Sequence, residues 1–241
     1  MLVSKTVRMT MAASLAFLVA LPACAGSVNK SITIDDGEES GGASSVNGSI
    51  TVGTDAIVDG GVNTVNGKIR VDDRSSVRNA TTVNGSIRLG DSVKAREITT
   101  VNGSIRAGKN CDIEGGIEAV NGSIELGEGS AVADNVENVN GGMEFNRSII
   151  GGDVKTVNGD VELANASVIK GDLVVEKPSG WGNSKQKRRK SRIIIGPGSR
   201  VEGDIELQQE VDLFISETAE VGAVKGVMSM ADAVRFSGDK P

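Results

Sequence analysis

The chain has 241 residues and a formal net charge of −6 at pH 7, with no His, no Tyr, one Trp and four Phe. Without His, the usual imidazole base and the commonest metal ligand are both missing, and the negative balance argues against a nucleic-acid partner. Aromatic poverty at this length suits a single domain with a narrow core of Val, Ile, Leu and Ala.

Residues 1–23 read as a secretory signal. Lys5 and Arg8 precede an apolar run from Met9 to Leu21 that is broken only by Thr10 and Ser14. That run is short for a membrane span. Its end, Leu21-Pro22-Ala23-Cys24, resembles the lipobox of bacterial lipoproteins, with Pro22 the less usual residue in its slot. The resemblance implies that Cys24 is lipidated, that residues 24–27 form a tether, and that the membrane is a partner through this anchor. Ala25 after the Cys, in place of Asp, implies by the same analogy an outer-membrane lipoprotein facing the periplasm or the surface. The rival is ordinary cleavage after the A-x-A triplet Ala23-Cys24-Ala25, which discards Cys24. Either way the mature chain is exported, and loss of Lys5 and Arg8 leaves 24 cations against 32 acids.

A repeat begins at Val28. After a degenerate VNK, VNG triplets start at Val46, Val65, Val83, Val101, Val120, Val139 and Val157, in steps of 18 or 19 residues. A period this constant marks a repeat architecture. Four residues after each Val stands Ile32, Ile50, Ile69, Ile87, Ile105, Ile124, Met143 or Val161, and two further on another apolar residue. Between them lies a polar column: Thr33, Thr51, Arg70, Arg88, Arg106, Glu125, Glu144, Glu162. Apolar-polar-apolar is a strand with one buried face. A third column is Val62, Ala80, Ile98, Ile117, Val136 and Val154, and a looser fourth is Val58, Val77, Val93, Ile113, Val132, Ile150 and Val168.

Each repeat is thus about three short strands, too little for a sheet of its own but enough for stacked coils that merge their apolar columns into one core. The expected fold is all-β: a single-stranded parallel β-helix over residues 28–228, of about ten 18–20-residue coils. Left-handed coils favour an aliphatic residue at every sixth position, a spacing these repeats do not keep, so a right-handed winding is expected. Asn-Gly is the corner of each coil, because Gly accepts φ > 0 and Asn tolerates it. Asn47, Asn66, Asn84, Asn102, Asn121, Asn140 and Asn158, with Asn29 before them, are expected to stack as a ladder of side-chain amides.

After Val175 the repeat stops for a basic insertion, residues 176–192, holding Trp181, Lys185, Lys187, Arg188, Arg189, Lys190 and Arg192. This reads as a loop extruded from one coil. Its cations and Trp are candidates for binding phosphates of an anionic membrane surface; the bland alternative is a solvated loop balancing an acidic body. The strand pattern resumes, with Ile195, Val201 and Ile205 recurring as Ile215, Val221 and Val224. Residues 229–241 carry Val234 and Phe236 at strand spacing, a capping strand and tail for the open end of the helix.

The stretch IGPGSRVEGDI resembles the bactofilin family of polymer-forming bacterial proteins, and the VNGSI repeats resemble adhesin-like β-strand-repeat proteins of bacterial envelopes. The resemblances imply a β-helix and a structural, adhesive or polymer-forming role, with self or an anionic envelope polymer as partner. The export signal and the basic insertion depart from bactofilins and argue against a cytoskeletal role inside the cell. No catalytic residue, cofactor or metal site is expected. Left-handed β-helix acyltransferases use a His that this chain lacks, calcium-binding nonapeptides need GGxGxD, and the acidic residues scatter instead of lining a polysaccharide-cleaving groove. The sequence therefore reads as a non-enzymatic exported scaffold, with end-to-end polymer formation and, third, a polysaccharide-active enzyme as alternatives.

Overall fold

Short apolar-polar-apolar triplets separated by Gly, Asp, Asn and Ser cannot pair within one repeat, so each triplet pairs with its copy one coil away. The computed structural model describes residues 26–178 and 189–241, and every strand pairing in it is parallel. The chain winds as a β-solenoid of about ten coils, each contributing a strand to three faces.

The first face is an 11-stranded parallel sheet that starts at Ile32–Ile34 and ends at Val234–Phe236. Its register joins Ile32 to Ile50, Ile69, Ile87, Ile105, Ile124, Met143, Val161, Ile193 and Leu213 in one inward column. Ile50, Ile69, Ile105 and Ile124 are completely buried, each contributing about 1.5–3 kcal/mol relative to exposure. The second and third faces together form an 18-stranded sheet. On the third face Val62, Ala80, Ile98, Ile117, Val136 and Val154 fall into register as one inward column, continued by Leu173, Ile205 and Val224.

The second face corrects two members of the fourth column. Val77 pairs with Ala95, and Ile150 pairs with Ile169, so Val93 and Val168 do not belong to that column. Val93 is buried all the same, in the turn before the strand, at the place taken by Ser75, Cys111 and Ser130 in neighbouring coils. Coil length is set at two places, the bend where the second face meets the third and, in the coil from Val139 to Val157, the turn between Phe145 and Ile150, one residue shorter than that between Leu126 and Val132. In two 18-residue coils one strand runs straight through, as Ser76–Asn84 and Lys94–Asn102. A 19-residue coil adds a residue at this bend, as at the irregularity between Val58 and Gly61.

The Asn-Gly corner joins the third face to the first. Asn47 Nδ2 donates to Asn29 Oδ1 at 2.8 Å, and the same bond recurs rung by rung through Asn66, Asn84, Asn102, Asn121 and Asn140 to Asn158, at 2.8–3.0 Å. The reason for glycine differs from the expected one. Of the seven corner glycines only Gly141 has positive φ, and none of the asparagines does. A Cβ at Gly67, Gly85 or Gly103 would instead collide with the carbonyl oxygen of the glycine one coil below. Stacked backbones this close admit no side chain. The left-handed residue of each coil sits in the turn between the first and second faces: Asp55, Arg74, Ser92, Asn110, Arg147 and Ala166 have φ from 46° to 63°.

The basic insertion leaves the solenoid at this same third-to-first corner. Leu173–Val175 is the third-face strand before it, and Arg192–Ile195 is the first-face strand after it, pairing with Val161–Leu163. Arg192 thus opens a strand and does not belong to the loop. At the far end, Val234–Phe236 pairs with Phe214–Ser216, and Met228, Met230 and Ala233 pack against the core.

Candidate functional site

An outward residue on a three-residue strand stands alone between two buried ones, so the first face presents one side chain per coil. The register stacks Thr33, Thr51, Arg70, Arg88, Arg106, Glu125, Glu144 and Glu162, and then Ile194, Phe214 and Val234. Neighbouring rungs lie about 4.8 Å apart. The face is therefore divided lengthwise into polar, basic, acidic and apolar stretches. Its centre is flat: Ser86, Ser104 and Ser123 precede the strands, and Gly90, Gly108 and Gly127 follow them. Arg88, Arg106, Glu125 and Glu144 line one shallow depression here, and Glu144, Asp160, Glu162, Arg189 and Arg192 line a second beside it.

The charges along this face differ in what they already hold. Arg106 Nε donates to Glu125 Oε2 at 2.7 Å, which closes the boundary between the basic and acidic stretches and raises the Arg106 pKa through that hydrogen bond. Arg70 reaches Asp72 at 2.5 Å, and Glu162 meets Lys240 at 3.5 Å. Arg88 and Glu144, both exposed, form no ion pair among the described residues.

Of the anion-binding candidates in the insertion, Trp181, Lys185, Lys187 and Arg188 lie outside the described residues, as does Cys24. The other three are already engaged. Arg189 donates to Asp160 Oδ2 at 2.7 Å, and Lys190 pairs with Glu210 at 2.9 Å. Arg192 gives its backbone N–H to Asp160 Oδ1 at 2.8 Å and lays its guanidinium 4.8 Å from the Phe214 ring centre. The charges of Arg189 and Lys190 are turned onto the solenoid's own acids, and that of Arg192 onto an aromatic ring.

Two features of the third face escaped the sequence. Thr64, Thr82 and Thr100 point inward and donate to the carbonyl oxygens of Gly48, Gly67 and Gly85 at 2.8–3.1 Å, while the VNG valines from Val46 to Val139 are exposed or half-exposed and only Val157 is buried. On the outside, Glu118 stacks on Glu137. Burial first, then the Glu137 and Glu97 charges, push the Glu118 pKa up. One coil on, Lys155 takes the same column and meets Glu137 at 3.5 Å and Asp153 at 3.2 Å. Burial works to lower the Lys155 pKa, but these carboxylates outweigh it and the pKa is raised.

Cys111 is buried in the turn, its Sγ 3.1 Å from Gly90 O, and desolvation pushes its thiol pKa up. Neither trait suits a reactive thiol. Among the described residues no group of three or more His, Cys, Asp and Glu side chains is arranged to hold a metal ion, and no helix is long and apolar enough to cross a membrane. In comparisons with known proteins, no family model, no curated protein and no solved structure matches the chain.

Proposed function

We propose that the chain is an exported, lipid-anchored scaffold of the bacterial envelope, with a structural or adhesive role like that of the adhesin-like repeat proteins its VNGSI text resembles. One observation carries this reading: the first face offers a straight outward column of eleven side chains on a continuous parallel sheet. Such a face binds by presentation, through side chains at fixed spacing rather than by enclosing a small substrate. Cys24 is the lipidated residue and ties the rod to the membrane. The test is fractionation of cells making the wild-type chain, with and without inhibition of the lipoprotein signal peptidase, beside a Cys24→Ala variant. The anchor predicts a membrane-bound wild type and a change in processing in the other two. A wild type that is soluble and unlipidated refutes it.

Lys185, Lys187 and Arg188, with Trp181, are the part of the insertion assigned to an anionic membrane surface. Replacing the three cations by Ser then weakens retention on anionic vesicles without altering the melt; unchanged retention removes that role.

A second reading is end-to-end polymer formation, like that of the bactofilins. It is favoured by the solenoid's ends, where Ile32–Ile34 and Val234–Phe236 each pair on one edge only among the described residues. Unpaired strand edges are templates for another chain. Negative-stain images of the wild-type chain at micromolar concentration separate the two: filaments support assembly, and short separate rods oppose it.

A further inference from the structure

We propose that the first face is a self-complementary surface, on which two copies of this chain pair antiparallel about a two-fold axis between Arg106 and Glu125. The observation is the order of charges. Three arginines, Arg70, Arg88 and Arg106, are followed on the next three rungs by Glu125, Glu144 and Glu162. Turning a second copy through 180° about the midpoint sets Arg106 opposite Glu125, Arg88 opposite Glu144 and Arg70 opposite Glu162, each pair made twice. A closed dimer must use one patch that is complementary to itself, and this is such a patch. The same rotation sets Thr51 opposite Ile194 and Thr33 opposite Phe214, so no charge meets a like charge. Parallel pairing in register would instead place Arg on Arg and Glu on Glu.

Three further features fit a second copy. The midpoint between rungs five and six is also the middle of the ten rungs from Thr33 to Phe214. The Ser and Gly residues beside the central strands leave nothing to hold two sheets apart. Arg88 and Glu144, one rung outside the central pair, have no ion pair of their own among the described residues. The face is three or four residues wide and ten rungs long, roughly 500–600 Å² per copy from strand dimensions. That is below the ~800 Å² per partner of a standard interface. The dimer is accordingly weak and steered by charge, and salt loosens it. It stands apart from the envelope reading, because it needs neither lipid nor export.

The test measures the protein mass of the full chain in neutral detergent by sedimentation, at about 20 mM and about 0.5 M salt, which bracket strong and weak screening. The expected result is a dimer at low salt and a monomer at high salt. Arg88→Glu and Glu144→Arg alone each abolish the low-salt dimer. An equimolar mixture of the two restores a mixed dimer, because every opposed pair is again of opposite sign. A second measurement leaves the charges untouched. Spin labels on Thr33→Cys, in a Cys24→Ala background, lie nine rungs apart in the antiparallel pair, about 45 Å. A monomer at low salt, single variants that still dimerise, a mixture that stays monomeric, filaments, or labels close together would each overturn the proposal. A monomer would leave the arginine strip to an anionic polymer.

Discussion

Ala166 adopts φ 63°, directly after Asn165 at φ 53°, in a turn where other coils place Gly129 and Gly198. A Cβ in this region costs about 1–2 kcal/mol, and Gly relieves it at some loss of chain entropy. Ala166 is exposed, so nothing else depends on its methyl group. Ala166→Gly should therefore raise stability by about 1 kcal/mol in urea titration; a lower midpoint would contradict the strain. Glu118 stores a different cost. Its folded-state pKa is raised from the ordinary 4.5, chiefly by burial. In the window from 4.5 up to the raised value, the folded chain binds more protons than the unfolded one. Stability contributed by this group therefore falls as pH rises through that window. Glu118→Gln should melt higher than wild type at pH 7.5, and the gap should close by pH 4. A gap that persists at pH 4 would assign the effect to packing and not to charge.

The corner shows what a repeated element needs and what its sequence reveals. Asn102 gives and takes one ladder bond each, with Asn84 and Asn121. These bonds are exposed, so Asn102→Ala should cost about 1 kcal/mol. Gly103→Ala should cost clearly more, because its Cβ meets Gly85 O and the two coils must part. Equal losses in thermal melts of the two variants would mean that close approach is not what selects glycine. The first-face columns were legible because strict alternation around one polar residue has a single explanation, a half-buried strand. The third face was harder, since it inverts the simple rule: Thr82 is inside with a carbonyl to satisfy it, and Val83 is half-exposed outside. The left-handed turn gave no signal, since Arg74, Ser92 and Arg147 occupy it as readily as glycine. For the candidate face, the order of arginines and glutamates could be read directly from the period. The partners of Arg189 and Lys190 could not, because Asp160 and Glu210 reach them across the break in that period.

At the scale of the molecule, the strands of each coil pair only with those of the coils above and below it, so stability is to a first approximation a sum of coil and interface contributions. The repeat unit is defined by register, not by position along the chain. Deleting residues 102–120 removes 19 residues and joins Val101 to Asn121, which re-forms a Val-Asn-Gly corner. The ladder then runs from Asn84 to Asn121, and Ile87 faces Ile124 in the inward column where Ile105 stood between them. The shortened chain should keep its β-sheet circular dichroism and melt cooperatively at a somewhat lower temperature, with its scattering profile shortened by about 4.8 Å. Deleting residues 102–110 alone removes the first-face strand and its turn, and carries the following strands out of register. Apolar columns are then turned to solvent, and that variant should be unfolded. Loss of structure in the 19-residue deletion as complete as in the nine-residue one would mean that the coils are not interchangeable, and that some long-range constraint beyond nearest-neighbour stacking holds the rod together.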